Sequence, residues 1–262
     1  TTYRLAGLIP GSLSLILADH YAWNTVFIIT AAFLSLGIGM TIFSKEPEIS
    51  IERPKTLKAA ITEPFLEFFN RLGVRSALWI LAFMFLYKLG DNMATALSTP
   101  FYLDLGFTKT QIGVVAKNAA LWPAIFGGLL GGGLMIRLGI NKALWLFGAV
   151  QLLSILGFAI LADAGAVLWL LAAVIGFEYF GVGLGTAAFT AFIARETSKT
   201  FAATQFALFT ALAALPRTFA NASTGIIVEQ TGWINFFLLC AVLAVPGMLL
   251  LFWVAPWRAR AN

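Results

Sequence analysis

Long apolar stretches separated by short polar turns run along most of the chain. A helix needs roughly 20 residues to cross the hydrocarbon core of a bilayer, and eight stretches meet or approach that length. The first two are Leu5–Ala18, which is short, and Trp23–Phe43. After a polar segment, six more follow: Ala77–Leu103, Thr110–Met135, Ala143–Leu161, Val167–Ile193, Gln205–Val228 and Trp233–Val254. The pattern predicts an all-α membrane protein with eight transmembrane helices.

The stretches predict a layout of two helices, a linker and a six-helix half. Residues 1–43 hold the first two helices, 44–76 the linker, 77–257 the six helices and 258–262 a short tail. Within the linker, Leu57–Leu72 places its apolar residues on one helical face, as in a helix at a membrane interface. Turn-forming runs with glycine separate later stretches: Asp104-Leu105-Gly106, Leu138-Gly139-Ile140-Asn141, Asp163-Ala164-Gly165 and Gln230-Thr231-Gly232.

Composition supports a lipid boundary. Apolar residues make up 60% of the chain and charged residues 11%, whereas about a quarter of a soluble protein is charged. Most of the 17 basic residues fall on the side of the linker and the C-terminus, which are therefore predicted to be cytoplasmic. The net charge of +5 is thus an orientation signal, and nucleic acid is not an expected partner.

No enzyme or cofactor signature is found in the sequence. The only histidine, His20, lies in a predicted outer loop, so neither a metal site built on several histidines nor a histidine-based catalytic dyad fits. The only cysteine, Cys240, lies in an apolar stretch and suits packing. The glycine-rich run 127–133 lacks the lysine of a phosphate-binding loop and indicates close helix packing. We expect no cofactor and no resident metal.

The third stretch carries a polar stripe where lipid would favour apolar residues. Lys88 and Asp91 are three residues apart and share a helical face, and Asn92, Thr95 and Thr99 extend that face. A buried charge needs a functional or structural reason. One interpretation is an ion pair that fixes helix packing. The other is that Asp91 couples transport to protons with Lys88 tuning it, because a desolvated carboxylate takes up a proton and a cationic neighbour opposes this.

The seventh stretch has a second one-sided polar stripe, interrupted by Pro216. Arg217 lies at its middle, and its planar guanidinium matches carboxylate or phosphate groups. It either binds such a group on a substrate or forms a structural pair with Glu178. The other predicted substrate contacts are Lys117, Asn118, Trp122, Glu178, Gln205 and Asn221. A transport mechanism requires Asp91, Lys117 and Arg217 to share one water-filled cleft.

Several longer motifs resemble the AmpG-type muropeptide permeases, which are members of the major facilitator superfamily. The similarity covers nearly the whole chain except the linker. It is carried by the residues at 3–7, 87–102, 104–107, 115–117, 121–123, 138–145, 181–192, 203–209 and 216–225. Under this resemblance the chain begins at the fifth of twelve helices and lacks the first four. Ile136 stands where the superfamily's loop motif usually has an acidic residue.

The resemblance implies a function as well as a fold. It implies a proton-driven symporter in the inner membrane of Gram-negative bacteria that imports N-acetylglucosaminyl-anhydro-N-acetylmuramyl peptides for peptidoglycan recycling. Such import feeds signals that control β-lactamase induction, and the full-length protein is expected to be a monomer. Asp91 stands where the family uses an aspartate. The alternatives are a carrier of acetyl-coenzyme A or another organic anion, a channel, or a membrane scaffold without transport activity.

Overall fold

The computed structural model describes residues 21–43 and 56–257, and every element within these residues is a helix. The first predicted stretch, His20, the first part of the linker (44–55) and the C-terminal tail lie outside the described residues. The chain divides into two units, residues 1–53 and 54–262. In the first unit, α1 (Trp23–Ala32) and α2 (Leu34–Phe43) follow each other directly and together are long and apolar enough to cross a membrane.

The described part of the second unit, residues 56–257, contains eight further helices. They are α3 (Leu57–Leu72), α4 (Val74–Leu86), α5 (Leu89–Ala96), α6 (Ser98–Asp104), α7 (Lys109–Gln111), α8 (Lys117–Ala164), α9 (Leu168–Glu196) and α10 (Ala202–Val254), with a π-helical segment, Ile112–Ala116, between α7 and α8. Each of the four glycine-containing turns predicted from the sequence holds a glycine with positive φ: Gly106, Gly139, Gly165 and Gly232.

The helix α8 is a hairpin that reverses at Gly139. This residue has φ 76° and ψ 161°, which glycine adopts readily and other residues rarely do. Residues 127 and 151 would lie roughly 36 Å apart in one straight helix at about 1.5 Å per residue. Yet Gly183 of α9 packs against Gly127, and Gly181, half a turn away, packs against Gln151. The arms 117–138 and 140–164 therefore lie side by side against α9.

The helix α10 reverses in the same way at Gly232, where φ is 76° and ψ is 166°. Its first arm, 202–231, places Ala214 at the same cavity as Asp91. Its second arm, 233–254, contacts Gly90 through Cys240. Both arms thus border α5, which a continuous helix could not achieve.

The predicted third stretch is one path of three short helices, α4, α5 and α6. The path breaks at Lys88 (φ −102°, ψ 4°) and again at Leu97 (φ −108°, ψ 25°). Gly247 of α10 lies against the first break, where an added Cβ would be 2.7 Å from the Cα of Tyr87. Irregular backbone at membrane depth is tolerated where protein or a cavity surrounds it. The break therefore places Lys88 and its neighbours in a protected position.

Two apolar cores are separated by polar residues. One core lies around Phe83, Leu144 and Phe192, and the other around Phe101, Phe158 and Leu171. On the path from α4 to α5, on the second arm of α8 and on α9, buried polar side chains come between the two cores. We call these residues the polar layer: Lys88, Asp91, Gln151, Ser154 and Glu178.

The helix α3 closes one end of this unit. Phe68 on its buried face packs against Phe209 of α10 with ring centroids 4.8 Å apart, while Phe65 and Leu66 are exposed. At this end a set of hydrogen-bonded polar side chains, which we call the α3-end network, joins α3 to α8, α9 and α10. Its members are Glu67, Arg71, Asn141, Arg195, Glu196 and Gln205.

By length and hydropathy, four helical segments of the described residues are able to cross a membrane, or five if the pair that includes α4 to α6 is one span. That pair is bent by 112° at Gly73. The arms of α8 and α10 agree closely with the predicted fourth, fifth, seventh and eighth stretches. The structure confirms an all-helical membrane protein, and the exact count of eight spans stays a prediction.

Candidate functional site

A cavity of about 290 Å³ is lined by residues of α9, of the first arm of α10, and of α5 with the break before it. It brings together the two polar stripes that the sequence predicted, since Asp91 comes from the third stretch and Arg217 from the seventh. Half of the other lining side chains are polar, namely Lys88, Asn92, Thr186, Thr190 and Thr210. The other half are apolar, namely Val182, Phe189, Ile193, Ala213 and Ala214. Asp91 and Arg217 therefore share one opening, whereas the side chain of Lys117, which was expected to share it, lies outside the described part of the structure.

Lys88 and Asp91 form an ion pair at the break before α5. Lys88 Nζ lies 3.2 Å from Asp91 Oδ2, and both side chains are largely buried. The other carboxylate oxygen, Oδ1, has no hydrogen-bond partner. Gly90 holds this segment against α10 because an added Cβ would collide with the carbonyl oxygen of Cys240. Close packing thus fixes a charged pair that is only half satisfied.

Arg217 is exposed and lines the cavity. None of the three ion pairs found in the described residues involves it. The pairing with Glu178 that the sequence left open is therefore not formed. Its guanidinium is available to an anion that enters the cavity.

Glu178 lies behind the cavity wall and is fully buried. Ser154 donates a hydrogen bond to Glu178 Oε2, whereas Oε1 has no partner. The charged groups that interact with it are Asp91 and Lys88. Because Glu178 does not line the cavity, the structure offers no support for the predicted contact with substrate.

Gln205 is already engaged at the α3 end, far along α10 from Arg217. Its Nε2 donates to Pro64 O at 2.8 Å and to Glu67 Oε2 at 2.6 Å, and its Oε1 accepts from Ser198 N at 2.7 Å. The amide nitrogen and the amide oxygen of Gln205 are therefore both hydrogen-bonded within the protein. The predicted substrate contact of Gln205 gains no support from this position.

The cavity lining does not include Asn118, Trp122 or Asn221 either. Asn118 is exposed and donates to Val114 O at 2.7 Å, and Trp122 is 61% exposed. Asn221 has a buried Oδ1 without a partner one turn beyond Arg217. Lys117 begins α8, and its side chain lies outside the described part of the structure. Their roles stay predictions.

The structure adds residues that sequence reasoning missed. Thr186 and Thr190, four residues apart on α9, line the cavity beside Phe189, which stacks on Tyr87 at 5.5 Å. Their spacing of four residues, directly after the glycines of α9, indicates a shared polar helical face and could have identified them from the sequence. Gln151 and Ser154 are polar residues three apart in an otherwise apolar stretch, and that spacing was the second missed signal.

Comparisons with known proteins agree with the resemblance seen in the sequence. Residues 1–221 match the Major Facilitator Superfamily. The chain is 51% identical to an uncharacterized protein of Haemophilus influenzae, over 99% of this chain and 63% of that protein. It is 40% identical to the anhydromuropeptide permease of Escherichia coli K12, over 95% of this chain and 50% of that protein. It is 30% identical to putative transporter AmpG 4 of Rickettsia felis, over 96% of this chain and 62% of that protein. The chain thus spans between half and two-thirds of the length of these relatives.

Proposed function

Because this chain belongs to the major facilitator superfamily, whose members are transporters and not enzymes, we propose that it acts in proton-coupled import of anhydro-muropeptides. The substrates are N-acetylglucosaminyl-anhydro-N-acetylmuramyl peptides, and import serves peptidoglycan recycling in the bacterial inner membrane. The relatives named as a permease and as a transporter support this proposal. Alternating access is the expected mechanism, with the cavity opening to one side of the membrane at a time.

The observation that carries the proposal is the shared cavity. A muropeptide has carboxylates on its peptide and hydroxyl and N-acetyl groups on its sugars. Arg217 supplies an unpaired guanidinium that matches a carboxylate in a two-pronged geometry. Thr186, Thr190 and Asn92 supply hydroxyl and amide groups for the sugar and peptide. A site that pairs buried polar groups with a ligand also rejects ligands that lack those groups.

The size of the cavity fits part of such a substrate. Pockets for drug-sized ligands have volumes of about 300–1,000 Å³, and this cavity of about 290 Å³ lies at the lower limit. A disaccharide-peptide is larger than a single sugar ring. The cavity therefore corresponds to the part of the binding site that α5, α9 and α10 provide.

Asp91 is the residue proposed to exchange the proton. It reaches the cavity, it is largely buried, and its carboxylate is paired on one oxygen only. Protonation removes the attraction to Lys88, so proton binding and helix arrangement are linked. A carboxylate in this position responds to changes in water access as the cavity opens and closes.

The test is uptake of labelled anhydro-muropeptide by cells that express Asp91→Asn. An amide imitates the protonated acid, so we expect accumulation against a gradient to fall at least tenfold. Exchange of internal for external substrate, which needs no net proton movement, should continue. Asp163→Asn, at an exposed position at the end of α8, is the matched control and should behave as wild type.

Two results would count against this function. Normal accumulation by an inserted Asp91→Asn protein would remove the coupling role. Uptake that acetyl-coenzyme A suppresses more strongly than muropeptide does would favour an organic-anion carrier.

A further inference from the structure

We propose that Asp91 and Glu178 form a two-carboxylate site that binds one proton between them, with Glu178 as its buried member. The proposal rests on the proposed proton-coupled transport, because that proton is the coupling ion. It also assigns Glu178 a role different from substrate contact. Glu178 becomes a positioning residue for the proton, and Asp91 is the member that exchanges it with water.

The first observation is a matching defect in the hydrogen bonding of the two carboxyl groups. Buried polar atoms nearly always have partners, so each exception needs a reason. Asp91 Oδ1 and Glu178 Oε1 are both buried and both without a partner. Their groups lie close enough to interact, but two ionised carboxylates have no hydrogen to share. A single proton would satisfy one oxygen of each group at once.

The second observation is the charge of the cluster. Lys88 is its only cation among the described residues, and it interacts with both carboxyl groups. With both carboxylates ionised the cluster carries one excess negative charge. With one proton bound between them it is neutral. Because uncompensated charge is costly in the interior of a membrane protein, the neutral form is the one that suits a closed cavity.

The other groups around Glu178 cannot replace that proton. The single hydroxyl hydrogen of Ser154 is shared between the carbonyl oxygen of Gln151 and the opposite carboxyl oxygen, Oε2, so it does not reach Oε1. Two further titratable groups that interact with Glu178 are the Tyr102 hydroxyl, from α6, and the Cys240 thiol, from α10, while the Tyr87 hydroxyl interacts with Asp91. None of these three adds positive charge. The described surroundings therefore leave Asp91 as the group that completes Glu178.

The positions of the two groups define how the proton enters and leaves. Asp91 lines the cavity, whereas Glu178 is fully buried behind it. A hydronium ion in the open cavity gives its proton to Asp91, leaving water, and the new O–H bond donates a hydrogen bond to Glu178. On the other side of the membrane, Asp91 returns the proton to water. Proton number and charge balance over the cycle.

This arrangement predicts a specific defect when Glu178 is made neutral. In Glu178→Gln, Lys88 and Asp91 neutralise each other without any proton. The cavity can then close with no proton bound, so transport becomes uncoupled. We expect accumulation to fall at least tenfold, while exchange continues at a rate that no longer depends on pH. Glu178→Asp, which restores the acid, should recover part of the accumulation.

Glu229→Gln, at an exposed position, is the matched control and should resemble wild type in accumulation and in pH dependence. Membrane insertion and amount of each variant are measured alongside. If Glu178→Gln inserts and still accumulates substrate as wild type does, the proposal is wrong. Equal loss of accumulation and exchange in inserted Glu178→Gln, with no recovery in Glu178→Asp, would also overturn it, because that pattern marks a purely structural residue.

A second measurement needs no substrate and separates this proposal from the transport function. Infrared spectra of the purified protein report the C=O stretch of protonated carboxyl groups, which shifts in deuterium oxide. We expect a buried protonated carboxyl band in wild type that Glu178→Gln loses and Glu229→Gln keeps. A band unchanged by Glu178→Gln would overturn the shared proton. Absence of muropeptide uptake by wild type would instead count against the proposed function alone.

Discussion

The polar layer and the α3-end network contain the same kinds of side chains but treat them in opposite ways. In the α3-end network, Arg71 bonds to Glu67 and to the carbonyl of Glu196, and Arg195 joins Glu196 to Asn141. In the polar layer, one atom each of Asp91, Gln151 and Glu178 has no partner. The polar side chains of the α3-end network thus have hydrogen-bond partners, whereas several buried atoms of the polar layer have none.

The difference indicates what each region does. A satisfied network holds one arrangement, and here it ties α3 to α8, α9 and α10. Unsatisfied buried groups cost free energy, so they persist where a ligand or a proton completes them during function. The cavity beside the polar layer provides that access. Substitutions in the polar layer should therefore change transport, and those in the α3-end network should change stability.

The largest effect is expected at Gly90, where α5 meets α10. Gly90→Ala places a Cβ against the carbonyl oxygen of Cys240, and the backbone must move. Overpacking of this kind costs about 1–3 kcal/mol and would displace Asp91. We expect a lower Tm in detergent and nearly complete loss of uptake. Gly132→Ala, which meets nothing within 4 Å, is the matched control; equal Tm values for the two variants would contradict the close approach.

A smaller effect, confined to binding, is expected at Arg217. Arg217→Ala removes the cavity's exposed guanidinium without breaking an ion pair. We expect KM for uptake to rise about tenfold, equivalent to roughly 1.4 kcal/mol, with an unchanged Tm. Arg217→Lys should recover part of the affinity because it keeps the charge and loses the planar fork. Arg137→Ala is the exposed control, and an unchanged KM in Arg217→Ala would make Arg217 structural.

The smallest effect on transport is expected at Gln205. Gln205→Ala removes hydrogen bonds to Pro64, Glu67 and the amide of Ser198. A buried hydrogen bond contributes about 0.5–1.5 kcal/mol, so we expect a lower Tm and a normal KM. Gln230→Ala, at an exposed position, should change neither. A raised KM with unchanged Tm would restore Gln205 to the substrate site.

The helices were predictable because their signals are local. An apolar stretch bounded by a glycine turn marks its own ends, and the turns at Gly139 and Gly232 were located from the sequence alone. The stripe containing Lys88 and Asp91 was found for the same reason, since helical spacing fixes which residues share a face. The meeting of Asp91 with Arg217 in one cavity was also expected, because uncompensated charges avoid lipid.

The partners of individual polar residues were not predictable. Gln205 and Glu178 have similar apolar surroundings in the sequence, yet one binds backbone at the α3 end and the other lies buried behind the cavity. The partner of each side chain depends on the rotation of its helix about the helix axis and on the shift of neighbouring helices along their axes. Close contacts such as those of Gly90 and Gly183 set both quantities, and single-residue patterns do not report them. The break at Lys88 escaped prediction because no proline or glycine precedes it.

The tight reversals of α8 and α10 bear on how the chain is assembled during synthesis. Each connects two apolar arms through a single non-helical glycine. A helical hairpin satisfies its own backbone hydrogen bonds, so such a pair of arms can enter the lipid together. The insertion machinery would then deliver pre-paired units, and the later steps of biogenesis reduce to docking these hairpins around α9.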